Sequence, residues 1–321
     1  MKAAVVASPG RVPQYTEVPD PAVAEGHELV DLVAAGLHPI VRGLASGGHY
    51  GSSGTWPMVP GLDAVARRGD GTLVYTGGVT PPDGTFAERM SVPTAFRFPL
   101  PEGADPTQVV GGMNSGMASW MPLVSRRGEL GGRGLGTVLV LGATGVAGDL
   151  AVQNAGVLGA TAVVAVGRDR ARLARVDRAG VRTVALVGDH DADAAAIAEA
   201  LGGTAPSTVL DFVWGPVAEA VFAAMSRHGL EEDTADVLHV EIGAAAGATA
   251  ALPAALLRSR HYRVQGSGAG SASVEGLLGE LPRYIDLLAS GQVVAPVRTM
   301  PLSRVAEAWH TGSGERIVLT V

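Results

Sequence analysis

TVLVLGATGVAGDLAVQNAGVLGATAVVAVGRD, residues 137–169, is the stretch of the chain that decides its fold. Residues 150–167 within it carry no charge, and 18 uncharged residues are about the length of a membrane span. Glycines interrupt the stretch, however, and Gln153 and Asn154 lie within it, which a single lipid-facing helix tolerates poorly. We therefore expect three shorter elements of a globular domain and no membrane span.

Two of these elements are strands and one is a helix. TVLVLGA (137–143) and TAVVAVG (161–167) are continuous apolar runs of strand length, whereas VAGDLAVQNAGVLGA (146–160) places Leu150, Val157 and Leu158 at helical spacing. Strands that are apolar on both faces belong to a parallel sheet covered on both sides. The pattern predicts a βαβ unit.

The first turn of this unit is rich in glycine. Read as G-x-G-x-x-G, it offers Ala143, Gly145 and Gly148, with Gly142 one residue earlier. In a dinucleotide-binding fold, Gly145 would let the backbone approach a pyrophosphate, and Gly148 would let the helix pack closely on the sheet. The helix N-terminus would then face the phosphates. The flanking strand, helix and strand give weight to a pattern that is weak alone in a chain with 45 glycines.

Four further strands are expected downstream, separated by Ala-rich helical segments. They are TVAL (183–186), STVLDF (207–212), VLHVEIG (237–243) and YRVQGSG (262–268). Six strands with intervening helices predict an α/β fold with a doubly wound parallel Rossmann domain over residues 121–268. Residues 1–120 and 269–321 then form a second, catalytic domain, whose Pro- and Gly-rich short strands predict a partly open antiparallel β-barrel.

The composition of the chain disfavours or excludes several kinds of function. The chain of 321 residues is 47% hydrophobic and 17% charged, as in globular proteins. Its net charge is −7 and its basic residues are scattered, which disfavours a nucleic-acid partner. Cysteine is absent, so a disulfide, a thiolate nucleophile and a Cys-ligated metal are excluded. The apolar run in MKAAVVASPG is shorter than a signal sequence, and we expect a cytoplasmic protein.

Several segments, taken in order, resemble the medium-chain dehydrogenase/reductases, in particular their zinc-free quinone oxidoreductase-like branch. The segments are LHPIVRGLASGGHY, WPMVPGLDAVARRGDG, GTFAERMSVP, GGMNSGMASW, GATGVAG and LPRYIDLLASGQVVAPV. The resemblance implies a GroES-like barrel beside the Rossmann domain and a small-molecule hydride acceptor. It also implies a homodimer, for which the apolar strand VLHVEIG near the sheet edge is suited to pairing.

Three positions depart from the pattern of that superfamily. Gly61-Leu62-Asp63 stands where zinc-dependent members carry Gly-His-Glu, and no cysteine ligand exists, so we expect no metal. His38 replaces the asparagine of the quinone-reductase segment, and Val41 replaces the acidic residue that follows. These replacements leave the type of acceptor open.

The resemblance and the strand ends together predict the cofactor contacts. Gly167 leaves room and Arg168 supplies a cationic fork for the 2′-phosphate of NADPH, although Arg168 could also be an ordinary solvated residue. Asp169 is well placed to N-cap the next helix instead of binding the ribose. Ser267 and Ser271, in GSGAGSAS, could contact the nicotinamide end, but a flexible linker explains the same composition. The predicted contacts are Gly142, Ala143, Thr144, Gly145, Val146, Ala147, Gly167, Arg168, Gly243 and Ser267.

The catalytic candidates are Tyr50, His38 and Asn114. Tyr50 could donate a hydrogen bond to a substrate oxygen, or could be an ordinary loop tyrosine. His38 and His49 could deliver a proton, but an isolated histidine is more often structural. Asn114 precedes the expected interdomain helix, where it would contact nicotinamide or substrate, or simply cap the helix.

The sequence thus predicts metal-free, NADPH-dependent hydride transfer to a quinone or an α,β-unsaturated carbonyl. Two alternatives stay open. One is a tailoring enzyme of secondary metabolism on the same scaffold. The other is an NADPH-binding sensor or scaffold with little turnover.

Overall fold

A computed structural model describes residues 1–268, 270–271, 273–312 and 314–321 of the chain. The chain divides into two compact units. The first comprises Met1–Ser115 and Gly279–Val321, and the second comprises Gly116–Leu278. The divisions predicted from the sequence lie at 120/121 and 268/269.

The first unit begins with short strands and one helix. In chain order they are β1 (Lys2–Val5), β2 (Gln14–Glu17), β3 (His27–Leu37), α1 (Pro39–Ser46), β4 (Asp63–Arg67), β5 (Leu73–Gly77), β6 (Arg89–Pro93) and β7 (Arg97–Pro99). Helix α2 (Pro106–Glu129) follows. It starts with a proline at a position where the missing N–H costs nothing, and Asp105 accepts the N–H of Thr107 at 2.8 Å.

The second unit alternates strands and helices. They are β8 (Thr137–Leu141), α3 (Val146–Val157), β9 (Ala162–Gly167), α4 (Arg170–Val176), β10 (Val181–Ala185), α5 (His190–Leu201), β11 (Thr208–Asp211), α6 (Gly215–Met225), β12 (Asp236–Glu241), α7 (Ala254–Ser259) and β13 (His261–Gly266). The strands form one parallel sheet in the order β10-β9-β8-β11-β12-β13. The predicted six-stranded doubly wound sheet is confirmed, and the carboxyl ends of β8 and β11 are neighbours at its centre.

The rest of the chain completes the sheet of the first unit. Its elements are α8 (Val274–Ala289), β14 (Val297–Pro301), α9 (Val305–Ala308) and β15 (Arg316–Thr320). The sheet has the order β14-β15-β3-β4-β5-β7, with β6 also on β3. A shift of register between Leu32 and Ala34 bends β3, so that successive parts of this long strand pair with β6, β4 and β15. The predicted antiparallel sheet is confirmed, except that β14 and β15 are parallel.

Each unit has its own apolar core. In the second unit, β8 contributes Leu139 and Leu141 to a cluster with side chains of α5 and α6. In the first, Leu32, Phe86 and Ile317 belong to one buried cluster. Among the described residues, no helix is long and apolar enough to cross a membrane.

VLHVEIG lies near the sheet edge, as predicted, but the prediction that this strand pairs in a dimer is wrong. These residues form β12, which pairs with β11 on one side and with β13 on the other. Strand β13 is the edge of the sheet. The apolar character of β12 therefore reflects burial between two neighbouring strands, whereas β13 has mostly exposed or half-buried residues.

Candidate functional site

The glycine turn between β8 and α3 has the geometry that its sequence predicts. Gly142 adopts φ +84°, in the left-handed region that favours glycine. Its carbonyl oxygen accepts the N–H of Gly145 at 3.1 Å. Gly145 then N-caps α3 in an extended conformation with no side-chain cap. The first N–H groups of α3 have no acceptor within the helix and carry partial positive charge, which suits an anion.

Gly145 and Gly148 differ in what surrounds them. A Cβ atom built on Gly148 would lie 2.2 Å from the Gly142 oxygen, so only glycine lets α3 pack this closely on the turn. A Cβ atom on Gly145 would meet only that same oxygen, at 3.5 Å, and Gly145 is exposed. The face of Gly145 is therefore an open cradle of backbone at a helix N-terminus, and a pyrophosphate fits it.

The space beside Gly167 is not empty. A Cβ atom there would lie 2.6 Å from Cγ2 of Thr144, so Gly167 makes room for a side chain of the glycine turn. Gly167 thus has a packing role, and its predicted contact with the cofactor stays a prediction. Gly167 ends β9 in contact with the turn that follows β8, and this contact fixes the relative position of the two strand ends.

Arg168 and Asp169 follow β9 and have different environments. Arg168 is exposed, and its side chain has no hydrogen bond or ion pair with any residue that the structure describes. Oδ1 of Asp169 accepts the N–H groups of Ala171 and Arg172 at 3.0 and 3.1 Å, which confirms its predicted role as N-cap of α4. The cation beside the end of β9 is available to a ligand, whereas the carboxylate is engaged in the cap.

A buried polar network that the sequence did not predict crosses three strands, from Asp211 at the end of β11 through His239 within β12 to Tyr262 near the start of β13. Oδ2 of Asp211 is 2.9 Å from Nε2 of His239, and Nδ1 of His239 is 2.5 Å from the Tyr262 hydroxyl. All three side chains are buried. Burial, and then the charge of Asp211, raises the pKa of Tyr262 well above its ordinary value, so this tyrosine stays protonated.

Asp211 also accepts hydrogen bonds from the strained backbone of the loop that follows β11. Its Oδ1 accepts the N–H groups of Val213 and Trp214 at 2.9 and 2.8 Å. Trp214 has φ +53° and ψ −158°, a conformation that residues other than glycine rarely adopt. Its indole packs edge-on against His239 and Phe222, with centroids 5.7 and 5.9 Å apart. Hydrogen bonds and aromatic packing together stabilise the loop after β11.

This loop lies between two predicted cofactor contacts. Val213 would be 2.9 Å from a Cβ atom on Gly142, and the Phe212 oxygen would be 3.1 Å from one on Gly243. The structure therefore brings Gly142 and Gly243 to the same loop. Strand ends that meet in this way form the edge at which doubly wound sheets bind ligands.

Ser267 and Ser271 lie beyond the edge strand. The half-buried Ser267 donates its N–H to the Glu241 carbonyl oxygen at 2.8 Å, next to the end of β12. Burial, and then the charge of Asp211, raises the pKa of the Glu241 carboxyl. The Ser271 hydroxyl instead accepts the N–H of Gly268 at 2.8 Å in a local turn. Residues 269 and 272 of the predicted GSGAGSAS linker lie outside the described residues.

His38 is the centre of a second buried network, in the first unit. Its Nε2 is 2.9 Å from Oδ1 of Asp63, and the Tyr75 hydroxyl donates to Oδ2 of Asp63 at 2.9 Å. His38 has no exposed surface, and its Nδ1 has no hydrogen-bond partner in the described residues. Burial, followed by the charge of Asp63, raises the pKa of Tyr75 well above its ordinary value.

The other catalytic candidates have different surroundings. Tyr50 is 76% exposed, and its ring lies 4.1 Å from that of His49 between centroids. Asn114 lies inside α2 and not before it, so its interpretation as a helix cap is wrong, because the helix already begins at Pro106. Among the described residues, no hydrogen bond or ring contact joins His38 to Tyr50.

The described residues also include no group of three or more His, Asp or Glu side chains arranged to hold a metal ion.

A parallel sheet with an open glycine turn, in a chain that also carries a largely antiparallel seven-stranded sheet, is the fold of the medium-chain dehydrogenase/reductases. Comparison with known proteins confirms the predicted resemblance to that superfamily. No protein-family model matches the sequence.

Three of the similar proteins are described by name as a reductase, an oxidoreductase and an alcohol dehydrogenase superfamily protein. The chain is 29% identical to a probable NADPH-dependent quinone reductase of Emericella nidulans, and the match covers 96% of each protein. The quinone oxidoreductase of Thermus thermophilus, solved alone and with NADPH, matches with a TM-score of 0.79 at 24% identity over 100% of both chains. An alcohol dehydrogenase superfamily protein from Novosphingobium aromaticivorans gives a TM-score of 0.79 at 24% identity, covering 100% of this chain and 99% of its own.

Proposed function

We propose that the protein is an NADPH-dependent, metal-free oxidoreductase that reduces a quinone or an α,β-unsaturated carbonyl. The observation that carries the proposal is the open Gly145 cradle at the N-terminus of α3, next to a strand end with the unpaired Arg168. The relative from E. nidulans, with its stated NADPH dependence and quinone substrate, supports the same chemistry.

The residues present fit the proposed cofactor. The backbone of Thr144, Gly145, Val146 and Ala147 would hold the pyrophosphate, because the helix N-terminus offers N–H donors and no side chain blocks the approach. Arg168 would bind the 2′-phosphate with its planar fork. NADPH, when bound, supplies the hydride. Gly243 and Ser267, at the ends of β12 and β13, would lie along the remainder of the cofactor.

The protein's own contribution to the reduction is to hold and polarise the acceptor. We assign to the exposed hydroxyl of Tyr50 a hydrogen bond to the acceptor oxygen, which gains negative charge during the transfer. His38 is fully buried and bound to Asp63, so we assign it a positioning role at the start of α1 and not direct contact with substrate. Asn114, on α2, is a further candidate for contact with the nicotinamide or the acceptor.

Metal independence is part of the proposal. It is supported by Leu62 at the position of a zinc-site histidine, and by the hydrogen bond that already engages His38 with Asp63. We also propose a cytoplasmic homodimer that forms through β13, which pairs with a strand of its own chain on one side only. Light scattering of the purified protein, beside a Val264→Asp variant of this edge strand, tests the dimer.

The experiment that tests the function measures consumption of NADPH and of NADH with a panel of quinones and enones, and binding of both cofactors by calorimetry. Turnover with NADPH that survives dialysis against a chelator is the expected result. Tight NADPH binding without turnover on any acceptor would favour the sensor or scaffold alternative. Failure to bind NADPH would overturn the proposal, and turnover with one dedicated acceptor only would favour a tailoring enzyme.

A further inference from the structure

The first unit contains a cavity of about 300 Å³ that none of the roles above uses. Its lining includes Gly10, Arg11, Arg42, Ser46 and Trp309. Helix α1 contributes Arg42 and Ser46, and Trp309 follows directly after α9. This volume is at the lower end of the range for small-molecule sites.

Arg42 is held rigidly in this cavity. Its Nε donates to the Trp309 carbonyl oxygen at 3.0 Å and its Nη2 donates to the Ala308 carbonyl oxygen at 3.3 Å. The guanidinium carbon lies 5.9 Å from the centre of the Trp309 ring. No hydrogen bond of the described residues uses Nη1 of Arg42. The Nη1 group of this planar, fixed guanidinium can therefore still donate hydrogen bonds to a ligand.

The cavity also holds uncompensated positive charge. Two other half-buried arginines pair with carboxylates, Arg68 with Glu28 and Arg260 with Asp233, whereas the buried Arg316 instead donates to the Leu37 oxygen and to Ser115. Among the described residues, neither Arg42 nor Arg11 has an acidic partner, and burial lowers the pKa of Arg42. Two cations without a counter-ion face one cavity, in a chain whose net charge is −7. An anion in the cavity would attract the guanidinium of Arg42 and so offset the cost of burying its charge.

We propose that this cavity is a binding site for a small organic anion with a flat apolar body. The oxyanion would accept hydrogen bonds from Nη1 of Arg42 and from Arg11, and the flat body would pack against Trp309 and Ala45. The head group is a carboxylate or a phosphate monoester, since both present oxygens that match an arginine fork. All residues that line this cavity belong to the first unit, whereas the predicted cofactor contacts belong to the second.

Calorimetric titration with benzoate, phenyl phosphate and benzyl alcohol tests the proposal. We expect saturable 1:1 binding of at least one anion, weaker at high salt, and no saturable binding of the neutral alcohol. The tighter of the two anions identifies the head group. Arg42→Gln and Arg11→Gln should each weaken binding by roughly tenfold or more, as loss of one charge-assisted contact predicts.

Two arginine variants outside the cavity serve as controls for the titration, and Arg11→Gln provides a second test of the site. Arg127→Gln, at another exposed arginine with no ion pair among the described residues, and Arg168→Gln, in the proposed cofactor site, should both bind the anion like the parent. Because Arg42 also donates hydrogen bonds to the Ala308 and Trp309 carbonyl oxygens at the end of α9, Arg42→Gln could fail to fold. Arg11 is exposed and makes no such contacts, so Arg11→Gln keeps the test valid. No saturable binding up to about 10 mM, or loss of binding in Arg168→Gln and not in Arg11→Gln, would overturn the proposal.

Discussion

Nε2 of His38, which lies between β3 and α1, is 2.9 Å from Oδ1 of Asp63, the first residue of β4, and both side chains are buried. Because the carboxylate accepts, Nε2 carries the hydrogen. The Tyr75 hydroxyl donates to the other oxygen of Asp63 at 2.9 Å. Asp63 therefore fixes the orientation of the imidazole on one side and is itself fixed on the other.

The first prediction concerns this pairing. Asp63→Ala should lower the free energy of unfolding by about 3–5 kcal/mol, because two charge-assisted hydrogen bonds are lost and buried donors on His38 and Tyr75 remain unpaired. Urea denaturation measures the change. Asp70→Ala, at an exposed carboxylate of the same unit, is the control and should unfold close to the parent. A loss under about 1 kcal/mol in Asp63→Ala would contradict the structural importance of the pair.

The second prediction separates Tyr50 from His38 in catalysis. If the Tyr50 hydroxyl stabilises the developing charge on the acceptor, Tyr50→Phe should lower turnover by up to about 10²–10³-fold with unchanged NADPH affinity. A tyrosine that only packs would survive the change, since the ring is kept. Steady-state kinetics of Tyr50→Phe beside His38→Ala provide the measurement. Turnover within about twofold of the parent in Tyr50→Phe would remove this role, and a large loss in His38→Ala alone would assign the proton transfer to His38.

The third prediction is a loss of stability at alkaline pH. Burial raises the pKa of Tyr75 and of Tyr262, whereas unfolded tyrosine loses its proton near pH 10. Above that pH the folded state binds more protons than the unfolded state, so stability falls as pH rises toward the folded pKa values. Burial lowers the pKa of Arg316 to about 10, and this guanidinium opposes the trend by one proton. Burial, followed by the hydrogen bond to Glu88, also raises the pKa of Tyr15 to about 12, and burial lowers the pKa of Arg42. Three tyrosines against two arginines leave a net loss of stability that steepens as the pH rises through 10.

Urea midpoints at about pH 9, 10 and 11 measure this slope. Tyr75→Phe or Tyr262→Phe should flatten it, because each removes one proton that only the folded state retains. Tyr50→Phe, at an exposed tyrosine, is the matched control and should keep the slope of the parent. A midpoint that stays constant from pH 9 to 11 in the parent would show that burial does not hold these protons.

The fourth prediction concerns the choice of cofactor. Arg168→Ala should weaken NADPH binding by roughly 10- to 150-fold and leave NADH binding nearly unchanged, because only NADPH carries the 2′-phosphate. Calorimetry with both cofactors measures the difference. Arg127→Ala, at another exposed arginine, is the control. Equal affinity of the parent for the two cofactors would refute the assignment of Arg168.

The parts of the fold that follow from local pattern were predictable from the sequence. The central strands β8 and β9 are apolar on both faces, and the glycines between them mark the turn into α3. The position of β12 was not predictable in the same way, because an apolar strand has the same composition in the centre of a sheet and next to its edge. The start of α2 at Pro106 has a local signal, a proline after Asp105, which the prediction of a helix that begins after Asn114 does not use.

The polar networks depend on contacts between strands that are distant in sequence. Asp211 and His239 are 28 residues apart, and His239 and Tyr262 are 23 apart, so their hydrogen bonds exist only once β11, β12 and β13 are aligned. The available signal was a polar side chain within each of these otherwise apolar segments, since an unpaired polar group there would be costly. The packing of Thr144 on Gly167 likewise required the register of β8 and β9.

The final prediction uses the two glycines of the turn as a matched pair. Alanine at Gly148 would place its Cβ atom 2.2 Å from the backbone oxygen of Gly142, so α3 would have to move away from the turn, and we expect a clear drop in thermal stability. Alanine at Gly145 is compatible with φ −88° and ψ 163°, and meets nothing closer than 3.5 Å. Gly145→Ala should therefore unfold at a temperature close to that of the parent.

The two variants should separate again in cofactor binding. In Gly145→Ala the added methyl group would occupy the face on which the pyrophosphate approaches the N–H groups of α3, so NADPH affinity should fall at least about tenfold while the fold stays intact. Thermal unfolding and calorimetry on both variants give the comparison. If Gly145→Ala bound NADPH as well as the parent, the pyrophosphate would not lie on this cradle. If Gly148→Ala were as stable as the parent, the contact between α3 and the turn would be looser than the 2.2 Å approach indicates.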